Sequence, residues 1–78
     1  MKDVTKRKRA KNAARKPLRA LKRAVMEGRE LERTAYSEVE EIAEDIKNGT
    51  VSLDQLKKWN AVMVKYKLTA YQIPAELL

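Results

Sequence analysis

The sequence predicts an all-α fold: a flexible basic N-terminal arm followed by a small three-helix unit that contains a helical hairpin. Two observations carry this. Apolar residues recur every three to four positions in three separate segments, as on one face of a helix. Pro17, Gly28, Asn48-Gly49 and Pro74 then punctuate the chain where helices of that period would begin or end. At 78 residues this is one small domain at most.

The arm is residues 1–16, and the helical domain is 17–78. Between Met1 and Lys16 only Val4, Ala10, Ala13 and Ala14 are apolar. Ordering a backbone costs about 1–2 kcal/mol per residue, and so few apolar groups cannot offset it. Lys, Arg and Ala favour helix, but Arg7, Lys11 and Arg15 place like charges four residues apart. The arm is expected to be disordered or nascent-helical alone and helical once its charges are neutralised.

A proline is harmless at the first helical position and disruptive further in, so the first helix is expected to start at Pro17 and end at Gly28. Leu18, Leu21 and Val25 form its apolar stripe, and Arg19, Lys22 and Arg23 lie off that stripe. The second helix carries Leu31, Ala35, Val39, Ile42 and Ile46, widened by Tyr36 and Ala43. Ser37 with Glu40 has the form of a capping box, which leaves open a restart there. Asn48-Gly49 ends the helix; a hairpin turn is set aside because both flanks are helical in period. Ser52 with Gln55 caps a third helix over 53–67, with Leu56, Trp59, Met63 and Tyr66 on one stripe. The apolar end, Leu68, Tyr71, Ile73, Leu77 and Leu78, is expected to pack back on the helices or on a partner.

The net charge of +7 is unevenly distributed. Residues 1–29 hold 12 Lys/Arg against 2 Asp/Glu, a net of +10. Residues 30–50 are at −5, and 51–78 at +2. Such segregation is the footprint of an electrostatic binding arm.

Composition excludes several chemistries. With no Cys and no His, zinc fingers, disulfide frameworks and His-based catalysis are out. No apolar run is long enough to span a bilayer, and the start lacks the apolar core of a signal peptide. The carboxylates Glu38, Glu40, Glu41, Glu44 and Asp45 read as a solvated helix face, and Ser37 and Ser52 as caps without a base. Two glycines cannot build a phosphate loop. No enzyme activity, metal, cofactor or small-molecule substrate is expected.

The basic cluster is the informative signal: Lys6, Arg7, Lys8, Arg9, Lys11, Arg15, Lys16, Arg19, Lys22 and Arg23. Lys and Arg at this density suit a phosphate backbone, and Arg adds planar, bidentate contacts. In composition, Thr5–Lys16 resembles arginine-rich nucleic-acid-binding peptides, without pointing to a family. A membrane surface fits less well, because no large apolar anchor precedes Leu18. A helix-turn-helix over Leu56–Ile73 is disfavoured: its turn lacks Gly, Pro74 would sever the second helix, and the charge lies at the other end. Trp59, Tyr66 and Tyr71 carry rings able to stack on bases, but the first two share the core stripe and none is assigned to a ligand.

The expected function is non-enzymatic binding of DNA or RNA by the arm and first helix. Ile42, Ile46, Leu56, Trp59, Met63 and Tyr66 are the expected contacts to a second copy or a docking protein. The alternative is a small inhibitor or assembly factor whose arm engages an acidic surface of a larger protein. The expected setting is cytoplasmic or nucleoid-associated, nuclear in a eukaryote, and not secreted.

Overall fold

The computed structural model describes residues 2–78, with the side chains of 8–31 and 33–78. Three α-helices follow one another: α1 (Lys2–Met26), α2 (Glu30–Asn48) and α3 (Leu53–Lys65). Two short 3-10 turns, Thr69–Tyr71 and Ala75–Leu77, complete the chain. The all-α class stands, and no strand occurs among the described residues.

The first helix differs from expectation at its start. It does not begin at Pro17 but runs through it, with Pro17 inside. A proline in a helix interior removes one amide donor and crowds the preceding turn, at a cost of about 3 kcal/mol. The stripe that α1 buries supplies the compensation. Ala10, Ala14, Leu18, Leu21 and Ala24 are buried, and Pro17 is buried among them. Their spacing of three and four places Pro17 on the core-facing side, where its ring adds apolar surface to the packing. The arm therefore contributes core side chains, and the expected boundary between residues 16 and 17 is no break in the helix. Val25 is only half-buried.

α2 is one continuous helix, so Ser37 lies in its interior and caps nothing. Ala35, Val39, Ile42, Ala43 and Ile46 are buried as expected, whereas Leu31 is 53 % exposed. The third helix does start from a complete capping box: the Gln55 amide donates to Ser52 Oγ at 3.2 Å, and the Ser52 amide donates to Gln55 Oε1 at 2.8 Å. The Gln55 side-chain amide also donates to Asp45, which ties the start of α3 to the end of α2.

All three helices end in the same motif. The two amides after each last turn donate back to carbonyls three and five residues earlier, as in Arg29 to Ala24 at 3.4 Å, Thr50 to Asp45 at 2.9 Å and Leu68 to Met63 at 2.7 Å. The motif needs one left-handed residue. Gly28 and Gly49 supply it for α1 and α2, but at the end of α3 it is Lys67, with φ 57°. This ends α3 at Lys65, two residues before the expected Lys67.

The C-terminal segment folds back over α1 and α3. Asn60 holds it in both directions: its Nδ2 donates to the Ile73 carbonyl at 2.9 Å, and its Oδ1 accepts from the Ile73 amide at 2.8 Å. Trp59 Nε1 donates to the Tyr71 carbonyl at 2.9 Å. Leu68 and Ile73 are thereby buried, and Tyr71, Leu77 and Leu78 pack against the core.

Two outcomes follow. Asn60→Ala leaves the Ile73 amide and carbonyl without partners and is expected to destabilise the fold by about 1–3 kcal/mol. Denaturant melts measure this, and hydrogen exchange should show the Ile73 amide losing protection. Lys67→Gly removes the strain of a left-handed lysine and is expected to raise stability by up to about 1 kcal/mol. A lowered melting temperature would contradict that reading.

Candidate nucleic-acid interface

Because α1 does not break at Pro17, its cations share one rigid frame. A helix turns 100° per residue, so Lys8, Arg9, Lys11, Arg15, Lys16, Arg19, Lys22 and Arg23 occupy an arc of about 160°. The buried residues of α1 occupy about 120° on the opposite side. Lys8, Arg9, Arg15, Lys16, Arg19 and Arg23 are exposed, and Lys11 and Lys22 are half-buried, with stems lying along the protein surface. The side chains of Lys6 and Arg7 lie outside the described residues. From Lys8 to Arg23 the strip runs about 22 Å.

Among the described residues, none of these eight cations forms an ion pair; the ion pairs found are Arg29–Glu27 at 3.6 Å and Lys65–Glu38 at 3.0 Å. Among the described residues, no carboxylate of α2 forms an ion pair with the strip. Glu38, Glu41 and Glu44 are exposed, with Glu38 and Glu41 along the groove between α2 and α3.

Two grooves extend the strip. In one, Lys47 from the last turn of α2 joins Arg15, Leu18, Arg19 and Lys22. In the other, Arg29 and Tyr71 join Arg19 and Arg23, with Glu27 as the single carboxylate. Sequence reasoning missed Lys47, Arg29 and Tyr71 as members of this surface. Lys47 sits in a segment of net negative charge, and only the antiparallel return of α2 along α1 carries it to the basic side.

The expected partner contacts fare differently. Ile46, Leu56, Trp59 and Met63 are at most 1 % exposed, in the chain's own core. They offer no surface to a second copy, because α1 and the C-terminal segment cover the stripe they form. Ile42, 6 % exposed, lines a shallow groove between α2 and α3 with Glu38, Glu41, Lys58 and Val62. Tyr66 is half-buried beside it.

At that α2–α3 junction Lys65 Nζ donates to Glu38 Oε1 at 3.0 Å and lies 5.2 Å from the Tyr66 ring centroid. The hydrogen bond from Lys65, then that from Tyr66, holds the Glu38 carboxyl below its ordinary pKa. Lys65 is raised by its bond to Glu38, and so is Tyr66, whose neutral hydroxyl donates to that carboxylate.

No group of three or more Asp or Glu side chains is placed to hold a metal ion, and no helix is long and apolar enough to cross a membrane, among the described residues. No protein-family model matches the chain, and no curated protein or solved structure matches it either.

The junction has a pH signature. A lowered Glu38 pKa means its contribution to stability is present above the ordinary carboxylate range and is lost as pH falls through the lowered value. The raised Lys65 and Tyr66 values act in the opposite sense, with their contribution lost as pH rises through them. Glu38→Gln should therefore reduce the dependence of melting temperature on pH at both ends. All three groups are solvent-screened, so the change should be small. An unaltered profile would show that the junction contributes nothing to stability.

Proposed function

We propose that this is a non-enzymatic nucleic-acid-binding protein that lays the outer face of α1 along a phosphate backbone. One observation carries the reading: eight cations with no ion pair among the described residues share one side of a single continuous helix. The Lys8–Arg23 span of about 22 Å faces roughly 13 phosphate charges of a duplex, counting both strands. The strip has fewer charges than its ligand, so each cation can find a phosphate. α2, α3 and the folded-back C-terminus act as the frame that keeps the strip aligned. A solubility role does not call for segregated charge on one helix face, since mixed charges serve solubility as well.

A salt series tests this. Affinity for a labelled duplex oligonucleotide should fall linearly in log–log form, with a slope no steeper than about −7 if all eight cations contact phosphate. Replacing Lys11 and Arg15 by Ala should flatten the slope by about 2 and weaken all sequences alike. Absence of binding at low salt would overturn the reading. A stoichiometric protein complex that survives nuclease would instead favour an arm that docks on an acidic protein surface.

A further inference from the structure

The groove between the C-terminal half of α1 and the first 3-10 turn has a composition that the rest of the strip lacks. It encloses about 410 Å³, within the range of sites that take one small molecule, about 300–1,000 Å³. Arg19, Arg23 and Arg29 line it, against the single carboxylate of Glu27. Tyr71 lines it too and keeps part of its surface in solvent. Between them, Ala20 and Ala24 are too small to fill the space.

We propose that this groove is a subsite for one unpaired nucleotide, with its phosphate on the Arg19 and Arg23 guanidiniums and its base stacked on Tyr71. The inference rests on the nucleic-acid-binding reading and deepens it. Guanidinium forks match phosphate geometry in a bidentate manner. An aromatic ring stacks with any base, because every base has a π-face. The tyrosine sits on fixed backbone: its amide donates to the Leu68 carbonyl at 3.0 Å, and its carbonyl accepts from Trp59 at 2.9 Å. A base paired within a duplex is already stacked on its neighbours, whereas an unpaired base is free to enter. The groove therefore confers a preference for single strands on a helix that otherwise reads only charge. Glu27 opposes phosphate entry, and its pairing with Arg29 is exposed and solvent-screened.

Fluorescence anisotropy at fixed salt, with a labelled mixed-sequence single strand and its blunt duplex, tests the subsite. Tyr71→Leu should weaken single-strand binding about 5- to 100-fold while shifting duplex binding less than about twofold. Tyr71→Phe keeps the ring and should retain single-strand binding. Glu27→Gln, an exposed change that does not touch the core, should tighten single-strand binding by about twofold or more. Equal losses on both ligands from Tyr71→Leu, or no effect of Glu27→Gln, would overturn the subsite while leaving phosphate binding by α1 intact. A wild-type protein that binds neither oligonucleotide at low salt would remove the function itself, and the subsite with it.

Discussion

The structure depends on α1 staying helical across Pro17. Its buried stripe of alanines, one proline and two leucines is narrow and made largely of small side chains. Small side chains bury little area each, so the helix must present many turns to the core to be held. A break at Pro17 would strand Ala10 and Ala14 in water and remove the upper half of the contact with α2. The cost of a proline in a helix interior is a few kcal/mol, and the extended packing of α1 against α2, α3 and both 3-10 turns is what offsets it. The same continuity sets the surface. Arg15 and Arg19 lie on opposite sides of the proline in sequence, and they share one face only because the helix passes through it.

The second constraint is closure of the small core. A chain of this size with no disulfide or metal must cover its apolar residues with its own backbone or with a partner. Here the C-terminal segment supplies the cover. Asn60 makes this possible by pairing with both polar groups of Ile73, so that an irregular segment is buried without orphaned donors or acceptors. Among the described residues no buried side-chain nitrogen or oxygen lacks a partner. The interior is consistent in that sense, and Trp59, the largest buried side chain, has its one donor satisfied by the same segment.

Much of this was legible in the sequence, and the failures share a cause. The stripes of α2 and α3, the Ser52–Gln55 box and the helix stops at Gly28 and Gly49 follow from local periodicity and local hydrogen bonding, so reading along the chain finds them. Pro17, Ser37 and Lys67 were misread because each has a strong local preference that tertiary packing overrides. Pro17 favours a helix start, but its face is needed in the core. Ser37 favours a cap, but α2 is already nucleated upstream. Lys67 resists the left-handed conformation, but Leu68 must turn inward beside Met63. The cations of α1 were legible as one cluster because their signal is compositional. Lys47, Arg29 and Tyr71 were not, since each joins the strip through the fold rather than through the chain. Ile46, Leu56, Trp59 and Met63 are closed to a partner for the converse reason: a stripe apolar enough to bind a second copy is equally fit to bind its own C-terminus, and the intramolecular contact forms without the entropy cost of association.

The charge distribution also gives the molecule a direction. The outer side of α1 is basic and that of α2 acidic, while packed helix axes lie about 8–10 Å apart. The Debye length is about 8 Å at physiological ionic strength and about 30 Å at 0.01 M. In dilute salt each face therefore feels the other, and part of the attraction proposed between α1 and phosphate would be cancelled by repulsion from α2. At physiological salt the two faces are largely screened from each other, and the contact is decided by whichever face touches. A phosphate backbone in contact with α1 then meets the local excess of the first 29 residues, +10, rather than the +7 of the whole chain. In that proposed contact the acidic face would be left off the polyanion. Segregation therefore does more than concentrate positive charge. On the proposed function, it sets which side of the bundle would face the ligand, with the groove at Tyr71 on that side.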